Sequence, residues 1–404
     1  IDGEPIESGF DHSYWMADHG RFFNPRRHYE DGEPLPAADA DSGFYVTTAM
    51  ADYAIKYLEE HDAQYAEQPF FLYLAFTAPH FPLHAEQEDI DPYRKTYREG
   101  WTEIRRRRYR RQQELGITDG ALSAVERDVG PPYHFPDALE ILGPAEVNRP
   151  LPWKELTAEQ CAFQADKMAI HAAMVDRMDR EIGRVLDQLR AMDALDNTLL
   201  FFLSDNGASA EIMVRDDGHD PTAPPGSAAT YLCLGPGWST AANTPFRRHK
   251  TWVHEGGIAT PLIVHWPKGI AARGELRHNP GHVIDLVPTV LAAAGVKKSA
   301  AFAETPAPPP GKSLLPAFTR GGSVAHDYLW WYHEGNRALR VGDWKLVAAG
   351  ADGPWELYDL RTDRAEANDL AKSRPEKRRE LEALYQEKLA EFRRLARNDD
   401  KADK

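Results

Sequence analysis

Cysteine is nearly absent from this chain: two in 404 residues, Cys161 and Cys233. Two cysteines cannot form a disulfide framework. No apolar run approaches the ~20 residues a bilayer-spanning helix needs, and the first residues carry no signal-peptide pattern. Acceptor triplets for N-glycosylation are missing, which argues against a eukaryotic secretory route. Positive charge is in deficit: 48 Lys and Arg stand against 63 Asp and Glu, a formal charge of −15. That balance disfavours broad attachment to nucleic acid or to acidic membranes. What is present is ordinary globular usage, 42% hydrophobic and 27% charged, on a chain long enough for two packed units.

One local exception to the acidic balance is Arg105-Arg106-Arg107-Arg108-Tyr109-Arg110-Arg111. Basic runs bind heparin-like polyanions. The plainer reading is an amphipathic helix with a solvated basic face, its inner line formed by Trp101, Ile104, Arg108 and Leu115.

Apolar runs alternate with helical patterns. Phe44–Leu58 reads as a helix, Phe70–Phe76 as a buried strand, Thr157–Leu195 as one long helix and Asn197–Leu203 as another strand. Thr157 with Gln160 forms a capping-box signal. Helix followed by buried strand, repeated, predicts an α/β fold: a sheet flanked by helices. The proline-rich stretch Glu304–Gly311 reads as a linker. Beyond Gly322 the pattern changes to short strands with turns (Tyr328–His333, Ala338–Val341, Trp344–Ala348 and Trp355–Tyr358), then an amphipathic helix opening at Arg374-Pro375. The expected division is a main domain, 1–322, and a C-terminal subdomain, 323–404, built as a small antiparallel sheet with a helix.

Three polar clusters adjoin the apolar runs. Ser204-Asp205-Asn206-Gly207 follows the second strand, and Lys250-Thr251-Trp252-Val253-His254-Glu255-Gly256-Gly257 precedes the apolar run Pro261–Pro267. Oxygens of Asp205 and Asn206 at a strand end suit a hard divalent cation. Lys250 would offset the charge of an anionic substrate. The third cluster, Thr77-Ala78-Pro79-His80-Phe81-Pro82, sets a histidine between prolines, where it can pass a proton or bind an oxyanion. Each has a plain alternative: an ordinary Asp-Asn-Gly turn, a surface lysine, a structural histidine. Asp216-Asp217-Gly218-His219-Asp220 suggests a second cation site, but the oxygen spacing of a calcium loop is missing. Trp238, Asn243, His249 and His254 either face the cleft or serve packing. The Tyr332-His333-Glu334-Gly335-Asn336-Arg337 turn either reaches a substrate or merely closes a hairpin.

Taken in order, these segments resemble the sulfatase family, in its arylsulfatase branch of the alkaline-phosphatase-like superfamily. Gly9-Phe10-Asp11, Gly100-Trp101 through Arg105 to Gly116, Gly342-Asp343-Trp344-Lys345-Leu346 and Leu357-Tyr358-Asp359-Leu360 carry the resemblance with the clusters above. It implies a large mixed sheet flanked by helices, and a calcium ion (Ca2+) held by Asp205 and Asn206. It gives Lys250 to the sulfate, and His80 to the sulfate or the leaving oxygen. His80 and Lys250 are then expected to meet near Asp205. His254, His333, Asn336 and Arg337 are further substrate-binding candidates. The implied partner is a sulfated small molecule or carbohydrate, and the implied location the bacterial periplasm or the exterior.

The family's nucleophile is a formylglycine made within Cys-x-Pro-x-Arg, and neither Cys161-Ala162-Phe163 nor Cys233-Leu234-Gly235 fits. The early Asp-Asp metal pair is missing as well. The expectation is that the formylglycine motif belongs to a segment upstream of Ile1, and that these 404 residues alone are inactive. Two alternatives stay open: a phosphodiesterase or phosphonate monoester hydrolase on the same scaffold, and a non-catalytic binding protein.

Overall fold

The computed structural model describes residues 5–271, 273–296, 310–319 and 321–402. The expected linker lies outside these residues as far as Pro309. The chain divides into two compact units: Ile1–Ile104, Arg127–Thr198 and Ala210–Ala241 form the first, and Arg105–Glu126, Leu199–Ser209 and Ala242–Lys404 the second. The sheet and helix expected for 323–404 are found within the second unit.

The first unit is built on two helices, Val46–Tyr65 and Ala158–Ala191. Their small and aliphatic residues meet: Ala51, Ala54 and Leu58 against Val185 and Leu189. The long helix starts where its sequence says. Thr157 Oγ1 accepts from the Gln160 amide at 3.2 Å, and Gln160 Oε1 from the Thr157 amide at 3.0 Å, so two otherwise unpaired donors are satisfied. A second cluster gathers Phe22, Ile90, Ile170, Met174 and Leu232. A meander of β1 (Tyr14–Met16), β2 (His28–Glu30) and β3 (Glu33–Pro34) completes it. Asp31 and Gly32 turn β2 into β3 with φ of 50° and 84°, the two positive values a tight hairpin turn of this kind requires.

Phe70–Phe76 departs from expectation. It is extended, and among the described residues it joins no sheet. Its side chains still alternate as a strand's do. Phe70, Leu72 and Leu74 pack on the helix pair, while Phe71 and Tyr73 are 64% and 72% exposed. Apolar patterning sets the period, but a ladder needs a neighbouring backbone.

In the second unit β4 (Leu200–Leu203) pairs antiparallel with β5 (Leu262–His265), with Leu200 opposite His265 and Leu203 opposite Leu262. These strands were expected to be buried and are not: Phe202 is 40% and Ile263 58% exposed. Two strands paired only with each other have no flanking strand to cover them. All strand pairs among the described residues are antiparallel, in sheets of three, two and four strands, so the expected large mixed sheet is not among these ladders.

The four-stranded sheet runs in simple order: β6 (Leu329–His333), β7 (Asn336–Val341), β8 (Trp344–Ala348) and β9 (Glu356–Asp359). Leu339, Leu346 and Leu357 line one face under Leu381 and Tyr385 of the terminal helix Pro375–Ala402. Ala338, Val347 and Tyr358 line the other, against Val253. Because side chains alternate along a strand, Lys345 shares that second face.

The basic helix forms at Gly100–Glu114, but its inner line differs from the one expected. Arg105 is buried, whereas Arg108 and Leu115 are exposed. Arg105 Nη2 donates to Ser123 Oγ at 2.6 Å, a polar anchor that apolar periodicity does not reveal. Burial pulls its guanidinium down to about 10.

Candidate active site

Asp205 and Asn206 sit immediately after β4, on a turn built by backbone contacts. Ser204 Oγ donates to the Asn206 carbonyl at 2.9 Å, and Thr260 Oγ1 to the Ser204 carbonyl at 2.8 Å. Asn206 Nδ2 donates to the Gly207 carbonyl at 3.0 Å. Among the described residues neither Asp205 oxygen nor Asn206 Oδ1 is taken by a hydrogen bond or ion pair. Asp205 and Asn206 are thus consecutive residues with uncommitted side-chain oxygens, Asp205 exposed and Asn206 half-buried.

The Lys250 segment is stitched to this turn. The Gly207 amide donates to the Gly257 carbonyl at 2.9 Å, and the Lys250 amide to the Ala208 carbonyl at 3.0 Å. Asn243 bridges the two stretches: its Oδ1 accepts from the Ala208 amide at 2.8 Å, and its Nδ2 donates to the Ala208 and Arg248 carbonyls at 3.2 Å each. This crossing is why glycines are required. A Cβ on Gly207 would lie 1.8 Å from the Gly256 carbonyl oxygen, and one on Gly257 1.9 Å from that of Trp252. The backbone around the lysine is strained too, with Arg248 at φ 66° and Thr251 at φ 89°. Non-glycine residues held there cost about 1–3 kcal/mol each and cluster at functional sites.

The Lys250 segment also carries charged groups with long-range partners. Arg247 Nη1 donates to Glu356 Oε2 at 3.0 Å and to Tyr358 Oη at 2.9 Å, and its Nη2 to Glu126 Oε1 at 2.6 Å. His254, fully buried, meets Glu356 Oε2 at 3.4 Å through Nε2. Burial would raise Glu356, yet the bond and charge of His254, then the Tyr358 hydroxyl and Arg247, draw it down to about 2. His249 is held neutral, pushed to about 3 by burial and further by Arg248 and Arg105.

His80 belongs to the first unit. Its amide closes a turn on the Thr77 carbonyl at 3.0 Å, and its ring lies against Phe81, with His19 edge-on at 6.5 Å. Nδ1 lies 2.7 Å from the Phe81 carbonyl oxygen. A carbonyl only accepts, so Nδ1 carries the hydrogen in this contact.

The structure thus brings together Asp205, Asn206 and Lys250, and builds His80 separately. Trp238 serves packing: it lies in a cage of Tyr97, Trp101 and Trp153, donating from Nε1 to the Gln164 carbonyl at 2.6 Å. His333 is exposed at the end of β6. Asn336 spends its amide on backbone, donating to the Thr251 carbonyl and accepting from the Gly350 amide at 3.0 Å each. Arg337 donates to the Ala351 and Gly353 carbonyls and lies over the Trp355 ring. Asp217 of the second acidic cluster is held by Arg21 and Arg26. The residues the sequence reading missed are Arg247, Glu356, Glu366 and Lys345. Only Lys345 carried a signal: a lysine between apolar residues of one strand.

The sulfatase family model matches residues 5–296, and that of the N-sulphoglucosamine sulphohydrolase C-terminal region matches 247–395. The chain belongs to the sulfatase family. A sulfatase of Schizosaccharomyces pombe is 33% identical over 365 residues, covering 84% of this chain and 60% of that protein. An arylsulfatase of Klebsiella aerogenes is 30% identical over 328 residues, covering 76% and 64%. The chain therefore spans under two thirds of either relative's length. Among solved structures, that of BT4656 in complex with D-glucosamine-2-N,6-O-disulfate superposes with TM-score 0.57 at 20% identity, covering 95% of this chain and 77% of that one. Ps i-CgsB superposes with TM-score 0.55 at 23% identity, covering 89% and 58%. These likenesses show the fold, the α/β arrangement of alkaline-phosphatase-like proteins.

Proposed function

We propose that the protein containing this chain hydrolyses sulfate monoesters, of arylsulfatase or sulfated-carbohydrate type, using calcium. One observation carries the reading: the Asp205–Asn206 turn and Lys250 are fixed to each other by the Gly207–Gly257 and Lys250–Ala208 bonds. The untaken oxygens of Asp205 and Asn206 fit part of a calcium shell, which takes six to eight oxygens. No group of three or more His, Cys, Asp or Glu placed to hold a metal ion is present among the described residues, so these two would be a portion of the ligands. Bound there, the cation would supply positive charge toward the sulfate.

Lys250 offsets charge on the transferring group, as a preorganised cation does. His80 donates a proton from Nε2 to the departing oxygen. Of the weaker candidates for holding the rest of the substrate, His333 is exposed, whereas His254 is fully buried and Asn336 and Arg337 are bonded to backbone. No nucleophile is assigned within the chain. Cys233 is fully buried, its thiol pushed up to about 12 by burial, and neither cysteine has the formylglycine motif. The formylglycine comes from outside these 404 residues, in protein exported to the periplasm or beyond the cell.

The test is turnover of an aryl sulfate with calcium present. The 404 residues alone should be inert. A longer protein that carries a formylglycine should turn over, and lose activity in Lys250→Ala and Asp205→Ala. Turnover by the isolated segment would overturn this assignment.

A further inference from the structure

The second unit hides a lysine between two glutamates. Lys345, on β8, is completely buried, with Nζ 2.9 Å from Glu255 Oε1 and 2.8 Å from Glu366 Oε1. Glu255 and Glu366 are 3% and 1% exposed. Glu366 also reaches the backbone: its Oε2 accepts from the Glu255 amide at 2.9 Å. Arg364 Nη2 adds a bond to Glu255 Oε2 at 3.2 Å. Glu366 itself sits at φ 54°, a conformation a glutamate adopts only when its surroundings impose it.

Where this cluster lies matters more than its strength. Buried ion pairs give little net stability compared with apolar residues of similar volume, and fixing one geometry is a role proposed for them. Glu255 immediately precedes the two glycines on which the Asp205 turn rests. The Gly256 amide donates to the Arg247 carbonyl at 2.9 Å, and the Gly257 carbonyl accepts from the Gly207 amide at 2.9 Å. A Cβ on Gly256 would lie 2.2 Å from the Arg247 carbonyl oxygen, so this backbone has no slack. From Lys345 to Asn206 the path is therefore short: an ion pair, two glycines and one hydrogen bond.

We propose that Lys345 is a positioning residue. By clamping Glu255 between itself and Glu366, it fixes the Gly256–Gly257 backbone, and so sets the placement of Asp205 and Asn206 from the C-terminal sheet. The functional part rests on reading Asp205 and Asn206 as cation ligands; the mechanical part does not.

The experiment compares two neutralised clusters in the full chain. Lys345→Met/Glu255→Gln/Glu366→Gln removes the buried charges here, while the side-chain carbonyl introduced by Glu366→Gln still accepts from the Glu255 backbone amide. Lys167→Met/Glu146→Gln removes the fully buried pair of the first unit, 2.7 Å apart, as a control for losing buried charge anywhere. Both are read by hydrogen exchange at the Gly207 amide and by calcium titration, with circular dichroism to check folding. The triple variant should speed exchange at Gly207 and weaken calcium roughly tenfold, at the low end for residues that support metal ligands. The control should change neither. Unaltered exchange and affinity in the triple variant, or equal changes in the control, would overturn the proposal. If the triple variant does not fold, Glu255→Gln alone is read the same way, with the same outcomes deciding. A wild type that takes up no calcium would remove the site reading, while Gly207 exchange would still decide the mechanical claim.

Discussion

Two backbone arms carry the candidate residues, one within each unit, and they are built by opposite means. The arm in the second unit holds Asp205, Asn206 and Lys250 through backbone crossings with no room for a Cβ, braced by wholly buried charges. The arm in the first unit holds His80 on a short turn, with the Phe81 carbonyl at its Nδ1 and the Phe81 ring beside it. Their supports differ in the same way. β4 has a partner in β5, whereas Phe70–Phe76 keeps a strand's alternation without a ladder among the described residues. A charge-offsetting site needs groups fixed in advance. A proton donor needs one nitrogen correctly presented, which less structure can provide.

Ranked by effect on folding, Gly207→Ala should strike hardest. Its methyl would meet a carbonyl oxygen at 1.8 Å, and we expect a loss of about 3 kcal/mol in denaturant unfolding, the top of the usual range for overpacking. Acid comes next and acts on both arms in sequence. His249 in the second unit and His84 in the first have pKa values pushed by burial from 6.5 to about 3 and about 4. The unfolded chain then binds more protons, so stability should fall as pH drops below about 6.5 in both units. Glu255 and Glu356 follow. Burial opposes their charge, but Lys345 and Arg364 for the first, and His254 for the second, lower each from 4.5 to about 2. Their contribution is complete above about 4.5 and lost as pH falls toward 2, so hydrogen exchange below pH 4.5 should loosen the Lys250 arm further. Uniform loosening at a single pH would contradict this order.

His80→Gln should sharpen the contrast, moving the unfolding midpoint by less than about 0.5 kcal/mol, as partly exposed substitutions do. In a formylglycine-bearing protein it should lower turnover roughly 10²–10⁴-fold, the usual worth of a general acid. Smallest of all, Phe71→Thr and Tyr73→Thr should leave stability nearly unchanged, because both side chains are already mostly in water.

Local signals in the sequence were legible. The capping box starts the long helix at its stated place, and the four strands of the C-terminal sheet fall within a residue or two of their patterns. Spacing alone left the Asp205 turn and the Lys250 segment open to plain readings, and it was the order of the segments, resembling the sulfatase family, that singled them out. What stayed hidden depends on distant partners. Nothing near Phe70–Phe76 says whether another strand lies alongside it. Nothing in the arginine run says that Arg105 rather than Arg108 finds Ser123. Lys345 finds Glu255 ninety positions away, and no periodicity encodes such a pairing.

The central claim is that the Asp205–Asn206 turn presents oxygens to a hard cation beside Lys250. Calorimetric titration of calcium into the longer, formylglycine-bearing protein, as wild type, Asp205→Ala and Lys250→Ala, tests it most directly. The account predicts saturable binding by wild type and by Lys250→Ala, and its loss in Asp205→Ala. No binding by the wild type, or the same affinity after Asp205→Ala, would contradict it.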